Sequence, residues 1–251
     1  MINYIQRYLK HKSTLYYYSI KRLLFYGQIK NNIKTSKRLS YLWPSTPNRT
    51  TLIQMLINNN EYKSYLEIGC DKNINFSQIN IEKKVGVDPN KGGTFRGTSD
   101  EYFKNNKTKF DIIFIDGLHE ENQVTLDIIN SLSVLNEGGV VLLHDCIPQT
   151  FIEQFCPRLQ LSWTGDVWKS ILKVRQKKEL DCATLLIDHG VSVIVKRENS
   201  MPLNKIDEKE INFDRFVDCH KEWLNCIEYN ELSEWLNQEN KSINNIKKLT
   251  I

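Results

Sequence analysis

Residues 65–70 read Tyr-Leu-Glu-Ile-Gly-Cys, and residues 85–89 read Val-Gly-Val-Asp-Pro. Each is a short apolar run of strand length, the first ending at Gly69 and the second at Asp88, 19 residues later. A glycine lets the backbone approach a ligand closely, and a carboxylate at a strand end accepts hydrogen bonds from ribose hydroxyls. The pair therefore predicts an open α/β sheet that binds an adenosine through Gly69 and Asp88.

Further apolar runs, such as residues 112–115 and 140–143, extend the predicted sheet. Because apolar and polar residues do not alternate in these two runs, they indicate parallel strands that are covered on both faces. We expect strands near 64–68, 83–87, 110–115 and 139–144, with helices near 99–106 and 120–135. The runs 183–187 and 191–195, separated by Asp188-His189-Gly190, predict an antiparallel hairpin that ends the sheet.

Three segments follow from these elements: a basic helical extension (1–45), the α/β domain (46–198) and a C-terminal helical extension (199–251). Thr46 and Pro47 suit the N-cap and first position of a helix through about Asn58. Asp166 suits the N-cap of a helix through about Gln176. In the C-terminal extension the expected packing residues are Phe213, Phe216, Trp223, Leu224 and Trp235.

The basic extension stands apart in charge. Residues 1–40 contain nine Lys/Arg and no Asp or Glu, whereas the remainder has 25 basic and 30 acidic residues. Within residues 1–38, helical spacing relates Ile5, Tyr8, Leu9, Tyr16, Ile20, Leu23 and Leu24, which predicts one or two amphipathic helices. Such helices pack on their own domain or on a second subunit, adsorb to an anionic membrane, or contact nucleic acid. The composition favours packing most and nucleic acid least.

The remaining composition is that of an ordinary globular protein, with 40% hydrophobic and 25% charged residues. Its six cysteines form no C-x-x-C pair, which predicts free thiols in a reducing compartment. No apolar run approaches the roughly 20 residues that span a bilayer, and no secretory signal is visible. We therefore expect a cytoplasmic protein, with peripheral membrane contact through residues 1–38 as the alternative.

Asp116-Gly-Leu-His119 is the most specific local pattern for catalysis. It places a carboxylate at a strand tip and an imidazole three residues later. Transfer of a group to a hydroxyl oxygen requires that the hydroxyl proton is removed or that the oxygen is polarised. Histidine is the usual base near neutral pH. We expect His119 to be the base, and Asp116 to border both the ligand and the reacting groups. The alternative is that both residues only anchor the helix that follows.

His144-Asp145 ends the next strand, and neighbouring strand tips lie about 5 Å apart. Asp116 and Asp145 would then share one divalent cation, with oxygen ligands suited to Mg²⁺. In the competing, metal-free interpretation His144 and His119 handle protons. Ser99-Asp100 is interpreted in two compatible ways, with Ser99 as an N-cap and both residues beside the adenine ring.

Glu67-Ile-Gly69 resembles the first motif of class I S-adenosylmethionine-dependent methyltransferases, in which an acidic residue precedes alternating glycines. The resemblance implies that Glu67 faces the amino group of the cofactor's methionine. Asp71, Asn73 and Asn75 stand at or near the later glycine positions. We therefore expect a loop that either is wider or relies on Asn, which tolerates positive φ better than most residues.

Five blocks between Tyr65 and Lys169 together resemble a bacterial methyltransferase family associated with surface-glycan and secondary-metabolite modification. They are Gly-Val-Asp-Pro (86–89), Gly-Gly-Thr-Phe-Arg-Gly-Thr-Ser-Asp-Glu (92–101), Phe-Asp-Ile-Ile-Phe-Ile-Asp-Gly-Leu-His (110–119), Gly-Gly-Val-Val-Leu-Leu-His-Asp-Cys (138–146) and Gly-Asp-Val-Trp-Lys (165–169). The resemblance implies a Rossmann-like fold with a mostly parallel seven-stranded sheet, S-adenosylmethionine as cofactor, and a sugar, glycan or other small hydroxyl acceptor. It places Asp166, Trp168 and Lys169 over that acceptor.

A more distant resemblance is to metal-dependent sugar O-methyltransferases of antibiotic pathways. There an Asp and a His at the spacing of Asp116 and His119 serve as metal ligand and base, and two adjacent acids complete the metal site. This chain has His144 in place of the first of those acids.

Two other functions remain open. A nicotinamide-dependent oxidoreductase would also use a carboxylate to bind the ribose. However, the chain lacks the G-x-G-x-x-G motif of such enzymes, and their sheet does not need the antiparallel hairpin predicted here. A non-catalytic Rossmann-like protein that docks on membrane or RNA through its basic extension would explain the missing glycines. The sequence leaves open whether the chain forms a homo-oligomer.

Overall fold

The structure is a computed structural model, and it describes residues 14–35 and 37–238. Eight strands form one sheet: β1 (Ser64–Ile68), β2 (Lys83–Asp88), β3 (Phe95–Arg96), β4 (Phe110–Ile115), β5 (Leu135–Leu143), β6 (Asp181–Leu185), β7 (Val191–Val195) and β8 (Cys226–Ile227). Their order is β3-β2-β1-β4-β5-β7-β6-β8. Only β7 is antiparallel to its neighbours, β5 and β6.

This arrangement confirms the predicted Rossmann-like α/β fold, with a mostly parallel sheet that ends in an antiparallel hairpin. The prediction of seven strands was wrong, because β8 adds an eighth beside β6. β8 has only two residues, too few to produce an alternation or an apolar run that sequence reasoning would detect. It lies within the segment predicted as a helical C-terminal extension.

Helices cover both faces of the sheet. In chain order they are α1 (residues 14–24), α2 (Tyr26–Thr35), α3 (Arg49–Asn59), α4 (Ser99–Asn105), α5 (Glu121–Ser133), α6 (Phe151–Gln154), α7 (Val167–Arg175), α8 (Phe213–Trp223) and α9 (Leu232–Leu236). The buried apolar residues of α5, Val124, Ile128 and Leu132, share a hydrophobic core with strand residues, and the five residues expected to pack in the C-terminal segment are buried as well.

Two predicted N-caps are corrected by the structure. α3 begins after Asn48, whose side chain accepts from the Thr51 amide while the Thr51 hydroxyl accepts from the Asn48 amide, so Thr46 is not the cap. α4 is capped by Thr98 in the same reciprocal way with Glu101, so Ser99 is its first helical residue. Each pair satisfies two amides that the helix leaves free, which favours it over a single cap.

Residues 14–35 are helical, as predicted for the basic extension, whereas Ile5, Tyr8 and Leu9 lie outside the described residues. The predicted apolar stripe does not pack on the domain, because Tyr16, Ile20, Leu23 and Leu24 are exposed. In the part of the chain that the structure describes, no helix combines the length and apolar character needed to cross a bilayer.

Candidate functional site

The carboxyl ends of the central strands meet at one edge of the sheet. Backbone hydrogen bonds continue past the strands there, from the Gly69 amide to Val87, from the Asp116 amide to Ile68, and from the His144 amide to Ile115. Gly69, Asp116 and His144 are therefore neighbours across successive strand tips. This confirms that the residues singled out from the sequence share one edge.

Gly69 makes this close approach feasible. Its φ is +91°, and a Cβ built there would lie 2.1 Å from the carbonyl oxygen of Asp116. The loop that follows reaches positive φ without further glycines, at Asp71 (φ 41°) and Asn73 (φ 61°). Of the two predicted alternatives, reliance on Asn holds at Asn73, and Asp71 adopts positive φ as well.

Asp88 is buried at the tip of β2, where its carboxylate holds two loops. One oxygen accepts from the Asp71 amide at 2.8 Å, and the other accepts from the Asn90 and Lys91 amides, each at 2.7 Å. A carboxylate has about four acceptor sites, so these bonds leave capacity for a ligand hydroxyl. The ribose contact of Asp88 stays a prediction.

Glu67 is a buried carboxyl group without a cationic partner within hydrogen-bond distance among the described residues. It accepts from the Tyr65 hydroxyl at 2.5 Å and from the Asn75 amide nitrogen at 2.9 Å. Burial raises the pKa of Glu67 to about 7, despite the lowering effect of these two hydrogen bonds. An ammonium group placed beside it would stabilise the ionised form.

Ser99 and Asp100 lie at the start of α4, where both accept from Nε2 of Gln123, at 3.2 and 3.1 Å. The same nitrogen reaches Oδ1 of Asp127 at 3.1 Å. Sequence reasoning missed Asp127, which lies on the buried face of α5 and whose Oδ2 has no partner among the described residues. Burial raises the pKa of Asp127 to about 6.

Four side chains form what we call the rim cluster: Asp116, His119, His144 and Asp145. Asp116 Oδ1 lies 3.1 Å from His119 Nε2 and 3.2 Å from His144 Nδ1. The oxygens of Asp145 lie 3.4 Å from His119 Nδ1 and 3.3 Å from His144 Nδ1. The structure thus brings together all the residues predicted to catalyse the reaction or hold a metal.

His119 is held in place by its surroundings. Its ring stacks on Trp163, with centroids 5.3 Å apart, and its Nδ1 lies 3.3 Å from the Trp163 carbonyl oxygen. When Nδ1 donates to that carbonyl, Nε2 is the basic nitrogen and faces Asp116. A substrate hydroxyl reaches Nε2 only by replacing the contact with Asp116. Sequence reasoning missed Trp163, since nothing in the sequence relates it to His119.

Arg49 and Asp188 complete the surroundings of His144. Nη1 of Arg49 lies 2.6 Å from His144 Nε2, and Asp188 Oδ1 lies 3.5 Å from the same nitrogen. Asp188 also accepts from the backbone amide of Arg49 at 3.0 Å. From the sequence Asp188 was only a hairpin residue and Arg49 only a helix residue. Arg49 lies 95 residues from His144 along the chain and Asp188 lies 44 residues from it, so no local pattern relates them.

The charges of the cluster explain its proton affinities. Burial alone would lower the pKa of His144, but the Asp145 and Asp116 carboxylates raise it well above its ordinary value. Burial likewise opposes the charged form of His119, but the hydrogen bond to Asp116 and the charges of Asp145 and Asp116 together outweigh it and raise the pKa. Burial would raise the pKa of Asp116, whereas His144 and His119 hold it well below its usual range.

The rim cluster also fits a divalent cation. Ligand atoms of Asp116, His144 and Asp145 all lie within 4.8 Å of one another. Ligand atoms bound to one Mg²⁺ at about 2.1 Å are about 3 Å apart, close to the 3.2 and 3.3 Å that separate His144 Nδ1 from the Asp116 and Asp145 oxygens. His144 Nδ1 faces the carboxylates, while Nε2 faces Nη1 of Arg49 at 2.6 Å and Asp188 Oδ1 at 3.5 Å. The predicted pair of ligands thus gains His144 as a third.

Asp166 and Lys169 lie beside the cluster, because the Asp166 amide donates to the carbonyl of His119 at 3.2 Å. Asp166 occupies the N-cap position of α7, but its side chain instead accepts from the Glu121 amide at the start of α5. Lys169 donates to Asp166 at 3.0 Å. Trp168 is fully buried against Phe216. It therefore packs in the core and does not make the acceptor contact that the resemblance implies.

A family model described as a methyltransferase domain matches residues 50–146. That segment contains the rim cluster, Glu67, Gly69 and Asp88. No curated protein matches the chain.

Solved structures with a similar arrangement include two methyltransferases. The S-adenosylhomocysteine-bound methyltransferase PaMTH1 of Podospora anserina has 14% sequence identity and a TM-score of 0.48, with 60% of this chain and 78% of that chain covered. An O-methyltransferase of Bacillus cereus in complex with S-adenosylhomocysteine has 13% identity and a TM-score of 0.47, covering 74% of this chain and 91% of that chain.

Proposed function

We propose that the chain is an S-adenosylmethionine-dependent methyltransferase that methylates a hydroxyl group, on a sugar or another small acceptor. The observation that carries the proposal is the match of residues 50–146 to a methyltransferase domain. The same segment holds the glycine–acid pair of β1 and β2 and an Asp/His cluster at the adjoining strand tips. Together they supply a nucleoside site and a base at one edge of the sheet.

In this proposal the cofactor lies along the carboxyl edge, from Asp88 at the ribose to Glu67 at the methionine ammonium group. Ser99 and Asp100 lie beside the adenine, and Asp116 separates the cofactor from the acceptor. The buried, unpaired carboxyl of Glu67 supports this placement, because an ammonium group is the partner that it lacks. Gly69 lets the ligand approach the backbone.

The reaction needs little from the protein beyond alignment and one proton acceptor, since the sulfonium is already activated. The acceptor oxygen forms a bond to the methyl carbon as the sulfur–carbon bond breaks, which releases S-adenosylhomocysteine. His119 Nε2 takes the hydroxyl proton, and Asp145, whose oxygen lies 3.4 Å from Nδ1 of the same ring, stabilises the imidazolium. Asp166 and Lys169, next to His119, are the proposed acceptor contacts.

Asp88 provides the direct test of the cofactor site. We expect the full chain to bind S-adenosylhomocysteine in isothermal titration, and Asp88→Ala to bind at least about tenfold more weakly, because hydrogen bonds to a charged group contribute about 1.5–3 kcal/mol each. Asp111→Ala is the matched control, since Asp111 also accepts from two backbone amides, those of Lys63 and Ser64 at the opposite edge of the sheet. Equal affinities for the two folded variants, or no binding by the unmodified chain, would contradict the proposal.

We also propose that the rim cluster binds a divalent cation through Asp116, His144 and Asp145. Such a cation would polarise the acceptor hydroxyl as a Lewis acid. We expect Mn²⁺ binding, followed by electron paramagnetic resonance, to weaken at least about tenfold in Asp145→Asn, since a carboxylate ligand is lost. Asp218→Asn, on the surface beside Lys37, should bind Mn²⁺ normally. Absence of binding by the unmodified chain would favour the metal-free interpretation, in which His119 and His144 handle protons alone.

A further inference from the structure

Helix α1 exposes one continuous apolar face. Tyr16, Ile20, Leu23 and Leu24 recur at the spacing of one helix face, and the exposed fractions of Tyr16, Leu23 and Leu24 are 70%, 73% and 77%. Leu15 and Tyr17 widen this face and are also exposed. Large side chains are rarely left uncovered in such numbers on one short helix unless they contact another surface.

Residues outside this face fix the same segment to the domain. Arg22 donates to the carbonyl of Leu159 at 3.1 Å and to Gln160 at 3.0 Å. Phe25 meets Phe155 edge to face, with ring centroids 5.9 Å apart, and Ile29 is fully buried. The apolar face is therefore held outward on a fixed helix.

Three cations beside this face have no acidic partner among the described residues. Lys21, Arg22 and Arg158 bond to backbone carbonyls and to Gln160, and within residues 14–35 and 37–238 none of the three forms an ion pair. No Asp or Glu occurs in the first 60 residues. A tyrosine- and leucine-rich face flanked by unpaired cations is typical of helices that lie in the interface of an anionic membrane.

We propose that the exposed face of α1 docks the protein on the surface of an anionic lipid membrane. The leucines and isoleucine enter the boundary of the acyl region, the tyrosines lie at the headgroup level, and Lys21, Arg22 and Arg158, at the border of this face, supply positive charge near the lipid phosphates. A second copy of this chain fits less well, because its matching face would bring the same unpaired cations together. The proposal does not depend on the reaction that the rim cluster catalyses.

Vesicle co-sedimentation of the full chain tests this. We expect binding to vesicles of phosphatidylcholine with phosphatidylglycerol, little binding to phosphatidylcholine alone, and release at high salt, since the screening length falls from about 10 Å at 0.1 M to about 3 Å at 1 M. Leu24→Glu should lower the apparent affinity for the anionic vesicles at least about tenfold, because it removes an inserted side chain and adds a repelled charge.

Met201→Glu is the matched control, as it makes the same change from apolar to acidic at another exposed position. It should bind the anionic vesicles like the unmodified chain. Because Leu24 is exposed, circular dichroism and melting temperature should be unchanged in Leu24→Glu. Equal loss in both variants, equal binding to neutral and anionic vesicles, or no vesicle binding would overturn the proposal. So would a dimer in solution that Leu24→Glu dissociates, which would assign the face to a second copy.

Discussion

Replacing His119 with glutamine is expected to lower kcat by about 10²–10⁴-fold, the usual contribution of a positioned general base. Glutamine retains hydrogen-bonding capacity at this position but cannot take up the acceptor's proton. The affinity for S-adenosylhomocysteine should stay nearly constant, because the proposed cofactor contacts lie on β1, β2 and α4. Single-turnover methyl transfer and isothermal titration measure the two quantities separately.

The pH profile gives this prediction a second readout. The hydrogen bond to Asp116 raises the pKa of His119 above its ordinary value of 6.5, so the neutral, basic form grows as the pH rises through that higher value. kcat/KM should therefore climb with pH over the same range and lose this limb in His119→Gln. His220→Gln is the control, as His220 is buried elsewhere against Tyr41. A His119→Gln variant with more than about a tenth of the original kcat would rule out the assigned role.

Gly69→Ala is expected to lower the free energy of unfolding by about 3 kcal/mol or more. The added Cβ would lie 2.1 Å from the Asp116 carbonyl oxygen, and φ at this position is +91°. Relief of the clash must move the strand tip that carries Asp116, so cofactor affinity should fall as well. Urea unfolding and isothermal titration measure these effects.

Gly138→Ala separates the two causes. Gly138 also has positive φ (+73°), but a Cβ there would have no atom within 4 Å. Its replacement should cost only the backbone strain, about 1–2 kcal/mol. If both variants lost the same stability, the close approach of β1 and β4 at Gly69 would not be the cause.

The central strands were predictable because each is a buried run bounded by turn residues. β1 and β4 begin and end at the expected residues. The strand tips then had to share an edge, since parallel strands all end on the same side. Asp116, His119, His144 and Asp145 were found in this way, from chemistry and topology alone.

The parts of the site that the sequence did not predict depend on contacts between residues far apart in the chain, which no local pattern indicates. Arg49 reaches His144 across 95 residues and Trp163 reaches His119 across 44, without any spacing to signal either. The sequence also did not predict which face of α1 packs on the domain, because both of its faces carry large side chains. In the structure Lys21 and Arg22 orient the helix by donating to the carbonyls of residues 158 and 159.

The hairpin that ends the sheet has a consequence for variation in this protein. β6 runs parallel to β5, so the turn between β6 and β7 lies at the same edge as the strand tips and brings Asp188 to His144. A change in the length of that turn would withdraw a carboxylate from the imidazole. It would also displace the carbonyls of His189 and Gly190, which accept from the amides of Ile147 and Cys146, so the reactivity of His144 is tied to the geometry of the hairpin end.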